Sequence, residues 1–293
     1  MKVAILGQGG GWHTESLRAA LAKRGIEADC FSVTRLTARV TGTPRLSAGE
    51  APLDGCDVVF VRAIPTGSLE QVIYRMDALR VLEQSGARVV NSALAIEHGV
   101  DKYYTSARLH DAGLPTPRTV VAERFEDALA AVEELGGDVV VKPLFGSEGK
   151  GIVRVSDMDT AYRAFRALEL GRYVYCVQEF VPHGCEDIRV FVVGDRVVGA
   201  MVRRARGWKT NASQGAKGEA LEPDARLVDL SLRATRVVGA DHAGVDILPC
   251  EDGGYSVIEV NTIPGWRALG AATGVDAAQV LVDHVLEEAG WTG

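Results

Sequence analysis

This 293-residue chain contains no C-x-x-C pair, no long apolar run and no block of basic residues. Its five cysteines, Cys30, Cys56, Cys176, Cys185 and Cys250, are scattered and odd in number, which argues against a zinc knot or a dithiol redox pair. Free thiols of this kind suit a reducing compartment, so a cytoplasmic location is expected. The apolar run in residues 1–6 is too short for the core of a signal peptide, and nothing that follows could span a bilayer. A formal charge of −7 without a Lys/Arg run argues against generic nucleic-acid binding, so anionic substrates would need local basic residues. Neither G-x-S-x-G nor H-E-x-x-H occurs, which disfavours a serine hydrolase or a zincin.

The composition, 47% hydrophobic and 24% charged, is that of a globular protein with room for two or three subdomains. Residues 1–95 alternate strand and helix patterns, as in an open parallel α/β sheet. Ser68-Leu69-Glu70-Gln71 has the capping-box spacing and opens a helix there. Residues 96–184 read as a second section, with a helix from about 102, strands at 119–122, 139–142, 152–155 and 174–179, and helices between them. Residues 185–293 are strand-rich, with a hairpin about Gly194-Asp195, a polar loop over 206–218, and helices near 224–238 and 277–289.

A second hairpin in this last section carries the most chemistry. Gly244-Val245-Asp246-Ile247-Leu248 and Tyr255-Ser256-Val257-Ile258-Glu259-Val260-Asn261 are joined by Glu251-Asp252-Gly253-Gly254. A turn centred between Asp252 and Gly253 sets Asp246 opposite Glu259, with Asn261 on the same face. Two carboxylates on an otherwise apolar patch call for a cation, and all-oxygen ligands suit Mg²⁺. An ordinary hairpin with a wet face is the plainer reading of the same residues. Gly146-Ser147-Glu148-Gly149-Lys150-Gly151 joins two strands and lacks the Ser or Thr of a Walker A loop, yet its glycines allow backbone N–H groups to cover phosphates. Lys142 follows three valines just before it. Gly7-Gln8-Gly9-Gly10-Gly11-Trp12 nearly matches a dinucleotide fingerprint, but Trp12 replaces the third glycine and no acidic residue closes the second strand, so a strand-to-helix turn is favoured.

Asp101-Lys102, Val141-Lys142-Pro143, the Gly146–Gly151 loop, Val177-Gln178-Glu179-Phe180-Val181, Asp187-Ile188-Arg189, and Gly244-Val245-Asp246-Ile247 through Glu259-Val260-Asn261-Thr262-Ile263-Pro264-Gly265 come in the order and spacing of ATP-grasp ligases. Along nearly its whole length the chain resembles the RimK-type α-L-glutamate ligases. The resemblance implies an α/β (α+β ATP-grasp) fold: a pre-ATP-grasp domain (1–95), a central subdomain with the phosphate loop (96–184) and a C-terminal subdomain with metal ligands (185–293). ATP would lie between the last two. It implies that Lys102 and Lys142 contact phosphates, with Gly146, Ser147, Gly149 and Gly151 over them. Gln178, Glu179, Phe180 and Val181 would hold adenine, Asp187 would lie near the ribose, and Asn211 would join the nucleotide site. Arg203 and Lys142 would be catalytic, and Asp246, Glu259 and Asn261 would hold Mg²⁺, with Mn²⁺ as an alternative. The family segment resembling F-R-S-N-x-H-R-G-G reads Trp208-Lys209-Thr210-Asn211-Ala212-Ser213-Gln214-Gly215-Ala216 here, and Trp266-Arg267 also departs from the pattern, so acceptor choice is expected to differ.

The implied chemistry is carboxylate attack on the γ-phosphate of ATP, followed by amine displacement of phosphate from the acylphosphate. The expected partners are ATP, an amino acid with glutamate favoured, and a carboxylate acceptor that is a protein or a small cofactor, in a homo-oligomer; the same chemistry with a different amino acid or an amino-group carrier protein is the alternative. Arg62, Arg189 and Arg267 are expected to bind substrate carboxylates, with Lys209 beside them. An NAD(P)-dependent oxidoreductase using the first glycines is the rival reading, and it leaves Asp246, Glu259, Asn261 and Lys142 unexplained. A non-catalytic ATP-binding regulator is the other.

Overall fold

The computed structural model describes residues 1–146, 149–210 and 215–291. The first part of the chain forms β1 (Val3–Leu6), α1 (Trp12–Ala22), β2 (Ala28–Phe31), β3 (Leu36–Ala38), β4 (Leu46–Ala48), β5 (Ala51–Pro52), β6 (Val58–Val61), α2 (Leu69–Gln84), β7 (Arg88–Val90) and α3 (Ala93–Val100). Its main sheet is parallel, in the order β2-β1-β6-β7. Every residue of β1 and β6 is buried, as expected for strands covered on both faces. Both bonds of the capping box at Ser68 and Gln71 are made. The chain leaves β1 for β2 on one side, while β6 lies on the other. The carboxyl ends of β1 and β6 therefore flank a topological switch point.

A middle segment follows with α4 (Lys102–Asp111), β8 (Thr119–Ala122), α5 (Phe125–Glu134), β9 (Val139–Lys142), β10 (Val153–Val155), α6 (Met158–Leu170) and β11 (Tyr175–Glu179). Its antiparallel sheet has the order β10-β9-β11-β8. Val139, Val141, Tyr175 and Val177 point into a core shared with α5 and α6. Strand alternation then sends Val140, Lys142 and Gln178 to the other face.

The rest comprises β12 (Glu186–Val193), β13 (Arg196–Arg204), β14 (Lys217–Leu221), α7 (Ala225–Val238), β15 (His242–Pro249), β16 (Tyr255–Asn261), α8 (Arg267–Thr273) and α9 (Ala277–Glu288). The five strands pair antiparallel in the order β14-β13-β12-β15-β16. Val190 and Val192 face a core with α7, which Leu109 and Leu114 also join. Phe191 and Val193 face the other way, into a cluster with Trp266, Leu269, α9, α1 and the first sheet. The first and last parts of the chain thus share one core.

Elements absent from the sequence reading are β3–β5, α3, β14 and α8. They are short, and β14 is an exposed edge strand with no apolar alternation. Near its turn the β15–β16 hairpin is one residue out from the expected register: Pro249 faces Tyr255 and Ile247 faces Val257. A bulge then leaves Ile258 without a facing residue and restores Asp246 opposite Glu259.

Asn91 joins the first sheet to the last. Its fully buried amide donates to the carbonyls of His242 (2.7 Å) and Thr262 (2.6 Å) and accepts from the N–H groups of Asp241 (2.7 Å) and His242 (3.1 Å). Asn91→Ala leaves these groups unpaired and is expected to cost roughly 3 kcal/mol of unfolding free energy, measured by urea titration. Next to it, burial, followed by Arg62 and His284, pushes the His242 imidazole down to about 3. The unfolded chain therefore takes up a proton that the folded protein refuses. Stability is expected to fall as pH drops from about 6.5 towards 3. The urea midpoint of His242→Leu should fall less between about pH 7 and pH 5 than that of the wild type.

Candidate active site

The inner faces of the middle and last sheets enclose a cleft with about 740 Å³ of open space, counting its mouth. One end is apolar, with Val140, Ile152, Phe180, Trp208, Leu248 and Ile258. Phe180 is fixed by the Arg154 guanidinium 3.5 Å from its ring centre, by an edge-type contact with Trp208 and by the tilted ring of His183. The other end is polar, with Lys102, Lys142, Asp187, Lys209, Asp246 and Glu259.

The two lysines are held by neutral oxygens. Lys102 Nζ donates to the Gly146 carbonyl at 2.7 Å, and Lys142 Nζ donates to Gln178 Oε1 at 2.5 Å. The Gln178 amide in turn donates to Thr119 Oγ1 at 2.8 Å. Burial lowers the Lys142 ammonium from its usual range, while Glu259 and Asp246 oppose that shift. Among the described residues neither lysine is in an ion pair, so both charges remain for an anionic ligand.

Beneath them lies a buried quartet of charges. Arg189 sits opposite Asp246 across β12 and β15, and Asp187 sits opposite Arg203 across β12 and β13. Arg189 grips both oxygens of Asp246 at 2.5 Å. Arg203 grips Asp187 with Nε at 2.6 Å and also reaches Asp246 at 3.0 Å. Burial disfavours ionisation of Asp246, yet the two arginines override it and hold the carboxyl below its usual range. Asp187 is instead raised, by burial and by the like charge of Asp246, against the pull of Arg203. Three contacts on Asp246 use three of about four lone-pair positions and leave one for another ligand. Glu259 makes no hydrogen bond or ion pair among the described residues. Asn261 Oδ1 accepts the Ile263 N–H at 2.9 Å.

The cleft thus brings together Lys102, Lys142, Gln178, Glu179, Phe180, Val181, Asp187, Lys209, Asp246 and Glu259. Arg189 and Arg203 lie directly under it, bonded to its carboxylates. Arg62 and Arg267 lie elsewhere, beside His13 and Trp266 at the end of the first sheet. Ser147 and Asn211 fall outside the described residues. The sequence marks Trp208 only as part of a departing segment and carries no signal for His183. Their place in the cleft comes from packing on Phe180, and no spacing rule marks that contact. A separate cluster, Asp241, His284 and Glu288, has ligand atoms within 4.8 Å of one another, but Arg88 bonds both of its carboxylates and makes it a structural ion cluster.

Two antiparallel sheets with lysines on one and paired carboxylates on the other, preceded by a parallel sheet, define an ATP-grasp enzyme. A RimK PreATP-grasp domain model matches residues 1–96 and a RimK-like ATP-grasp domain model matches residues 99–285, so the chain belongs to the RimK-like ATP-grasp family. It is an ATP-dependent ligase that joins a carboxylate to an amine. The chain is 34% identical over 294 residues to the tetrahydromethanopterin:α-L-glutamate ligase of Methanococcus maripaludis, covering 99% of each chain. It is 32% identical to the α-aminoadipate–LysW ligase LysX of Sulfurisphaera tokodaii, covering 71% of this chain and 74% of that one. Among solved structures it is similar to a RimK domain ATP-grasp protein from Sphaerobacter thermophilus, with a TM-score of 0.78, 26% identity and 97% and 99% coverage. The ATP-grasp ligase PsnB, solved with a minimal precursor, Mg and ADP, shares the fold at a TM-score of 0.75, 23% identity and 98% coverage of each chain.

The two acidic residues should differ in their structural cost. Asp246→Asn strips charge from a buried pair and is expected to destabilise by about 3 kcal/mol or more. Glu259→Gln removes no hydrogen bond among the described residues and should change stability by less than about 1 kcal/mol. Urea unfolding of both variants checks the contrast.

Proposed function

We propose that the cleft binds ATP with its base against Phe180 and Trp208 and its phosphates between Lys102 and Lys142. The observation that carries this reading is the opposition of Asp246 and Glu259 at the polar end, across from two lysines that form no ion pair among the described residues. Asp246, Glu259 and Asn261 offer hard oxygen ligands, and the partnerless Glu259 carboxylate fits a divalent cation shared with substrate phosphates. These three residues would hold Mg²⁺, or Mn²⁺ in its place. When bound, the metal neutralises phosphate charge and orients the γ-phosphate.

Lys142 sits where it can neutralise charge on the transferring phosphoryl group, and its neutral partner Gln178 leaves it available to do so. Arg203, fixed by Asp187 and Asp246, supplies further positive charge beneath the reacting atoms. Arg189 orients Asp246. Lys209, at the cleft wall beside Trp208, would meet the amino acid. The acceptor carboxylate attacks the γ-phosphate to give an acylphosphate and ADP. The amine then attacks the acyl carbon, phosphate leaves, and an amide forms. The amino acid is L-glutamate and the acceptor a small anionic carboxylate, a reading supported by the near full-length similarity to a tetrahydromethanopterin:α-L-glutamate ligase.

Incubation with ATP, Mg²⁺, L-glutamate and a panel of small anionic carboxylates should release ADP and add one glutamyl unit, seen by mass spectrometry. Glu259→Gln should abolish ADP release while leaving the fold intact. Lys142→Met should raise the KM for ATP by at least about tenfold, the loss of a charge-assisted phosphate contact. Near-normal turnover by Glu259→Gln would refute the metal assignment.

A further inference from the structure

Thr119 is the first residue of the edge strand β8 and stands directly opposite Gln178 of β11. Both side chains lie on the sheet face that carries Lys142, because Lys142 pairs with Cys176, two residues before Gln178. The Thr119 hydroxyl has one proton. It donates that proton to the Pro117 carbonyl at 3.0 Å, an oxygen that can only accept. Towards Gln178 the hydroxyl can therefore only accept. The end of the Gln178 amide that meets it, at 2.8 Å, must be the NH₂ group. The amide oxygen is then turned the other way, onto Lys142 Nζ at 2.5 Å. Each bond from the Pro117 carbonyl to the Lys142 ammonium has one allowed direction.

The far end of this relay is tied to the opposite wall of the cleft. The Pro115 carbonyl accepts the Val257 N–H of β16 at 2.8 Å, and Val257 lies two residues before Glu259. Residues 115–117 thus run from the strand that bears Glu259 to the brace of Lys142. Prolines at both ends of this passage restrict its backbone. Gln178 is buried, so an amide set loose there would leave a donor unpaired. The bond to Gln178 is the one hydrogen bond of Lys142 Nζ among the described residues. A lysine stem has four rotatable bonds, and without that oxygen its ammonium would spread over several rotamers.

We propose that Thr119 is a positioning residue for nucleotide binding: acting through Gln178, it fixes the Lys142 ammonium where the phosphates of ATP meet it. The proposal rests on the ligase reading above and extends it to a side chain that does not itself line the cleft. The relay must also be neutral. A carboxylate in place of the Gln178 amide would hold the ammonium as well and cancel the charge that the phosphates need.

The test is calorimetric binding of a non-hydrolysable ATP analogue, with Mg²⁺, to the full chain. Thr119→Val keeps the β-branched shape and removes the hydroxyl, and should weaken binding by about fivefold. Thr119→Ser, which restores the hydroxyl, should bind within about twofold of the wild type. In a Lys142→Met background the relay has nothing to hold, so adding Thr119→Val should change binding by less than about twofold. Gln178→Met, which removes the amide and leaves Thr119 in place, enters the same cycle and should show the same loss of effect. Gln178→Glu should weaken binding by about tenfold, although it still accepts from Lys142. Urea midpoints of all variants separate these effects from unfolding. Unchanged binding in Thr119→Val, equal weakening with and without Lys142, or no recovery in Thr119→Ser overturns the relay. Failure of the wild type to bind the analogue overturns the ATP reading of the cleft and the relay with it, whereas binding by the wild type with additive losses overturns the relay alone.

Discussion

The buried quartet of Arg189, Asp246, Arg203 and Asp187 is the constraint on which the site depends. Each ion pair is formed by residues directly opposite across neighbouring strands, so β12 is locked to both β13 and β15. A slip of one residue in either ladder would send a charge into the apolar core on the other face. The quartet therefore specifies register as well as chemistry. Its charges balance, two against two, yet Asp246 keeps a lone pair for the cleft, and Glu259 stands opposite it without a partner among the described residues.

The cleft is built from the same alternation. Along β9, every second residue enters the core with α5 and α6, and the residues between, Val140 and Lys142, face the last sheet. Lys142 is the final residue of β9 and Glu259 lies near the end of β16, whereas Asp246 sits in the middle of β15, where its two arginines hold it. The lysines are braced by a carbonyl and an amide oxygen, which fix position without cancelling charge.

The first and last parts of the chain are bound into one body. Asn91 bridges them with four hydrogen bonds, α9 packs on α1, and Trp266 is buried between Phe191 and His13. This rigid junction sets the end of the parallel sheet beside the hairpin that carries Asp246 and Glu259. Arg62 and Arg189 are placed on either side of Pro264 by it: Arg62 bonds the Pro264 carbonyl, and a Cβ on Gly244 would touch both Pro264 and Arg189. Neighbouring arginines thereby differ in their partners: Arg189 is tied to a carboxylate, and Arg62 has none among the described residues.

Much of this was legible in the sequence, because alternation, capping and glycine placement act over a few residues. The parallel α/β opening, the strands that end in Lys142 and Glu179, the capping box at Ser68 and the Asp246–Glu259 pair all follow from such local patterns. The hairpin shows the limit of that logic: Asp246 faces Glu259 because a bulge at Ile258 offsets a pairing that is one residue out of the expected register near the turn, and no pattern in the strand announces a bulge. Folding alone decided that Arg189 would be held by Asp246 while Arg62 went unpaired, since arginines on strands or at their ends look alike until their neighbours are in place. It also decided that Trp208 and His183 would pack on Phe180, and that Trp266 would be buried between the first and last parts of the chain. Periodicity reports which way a side chain points, but its partner is set by elements distant in sequence, and charge compensation is a property of that partner.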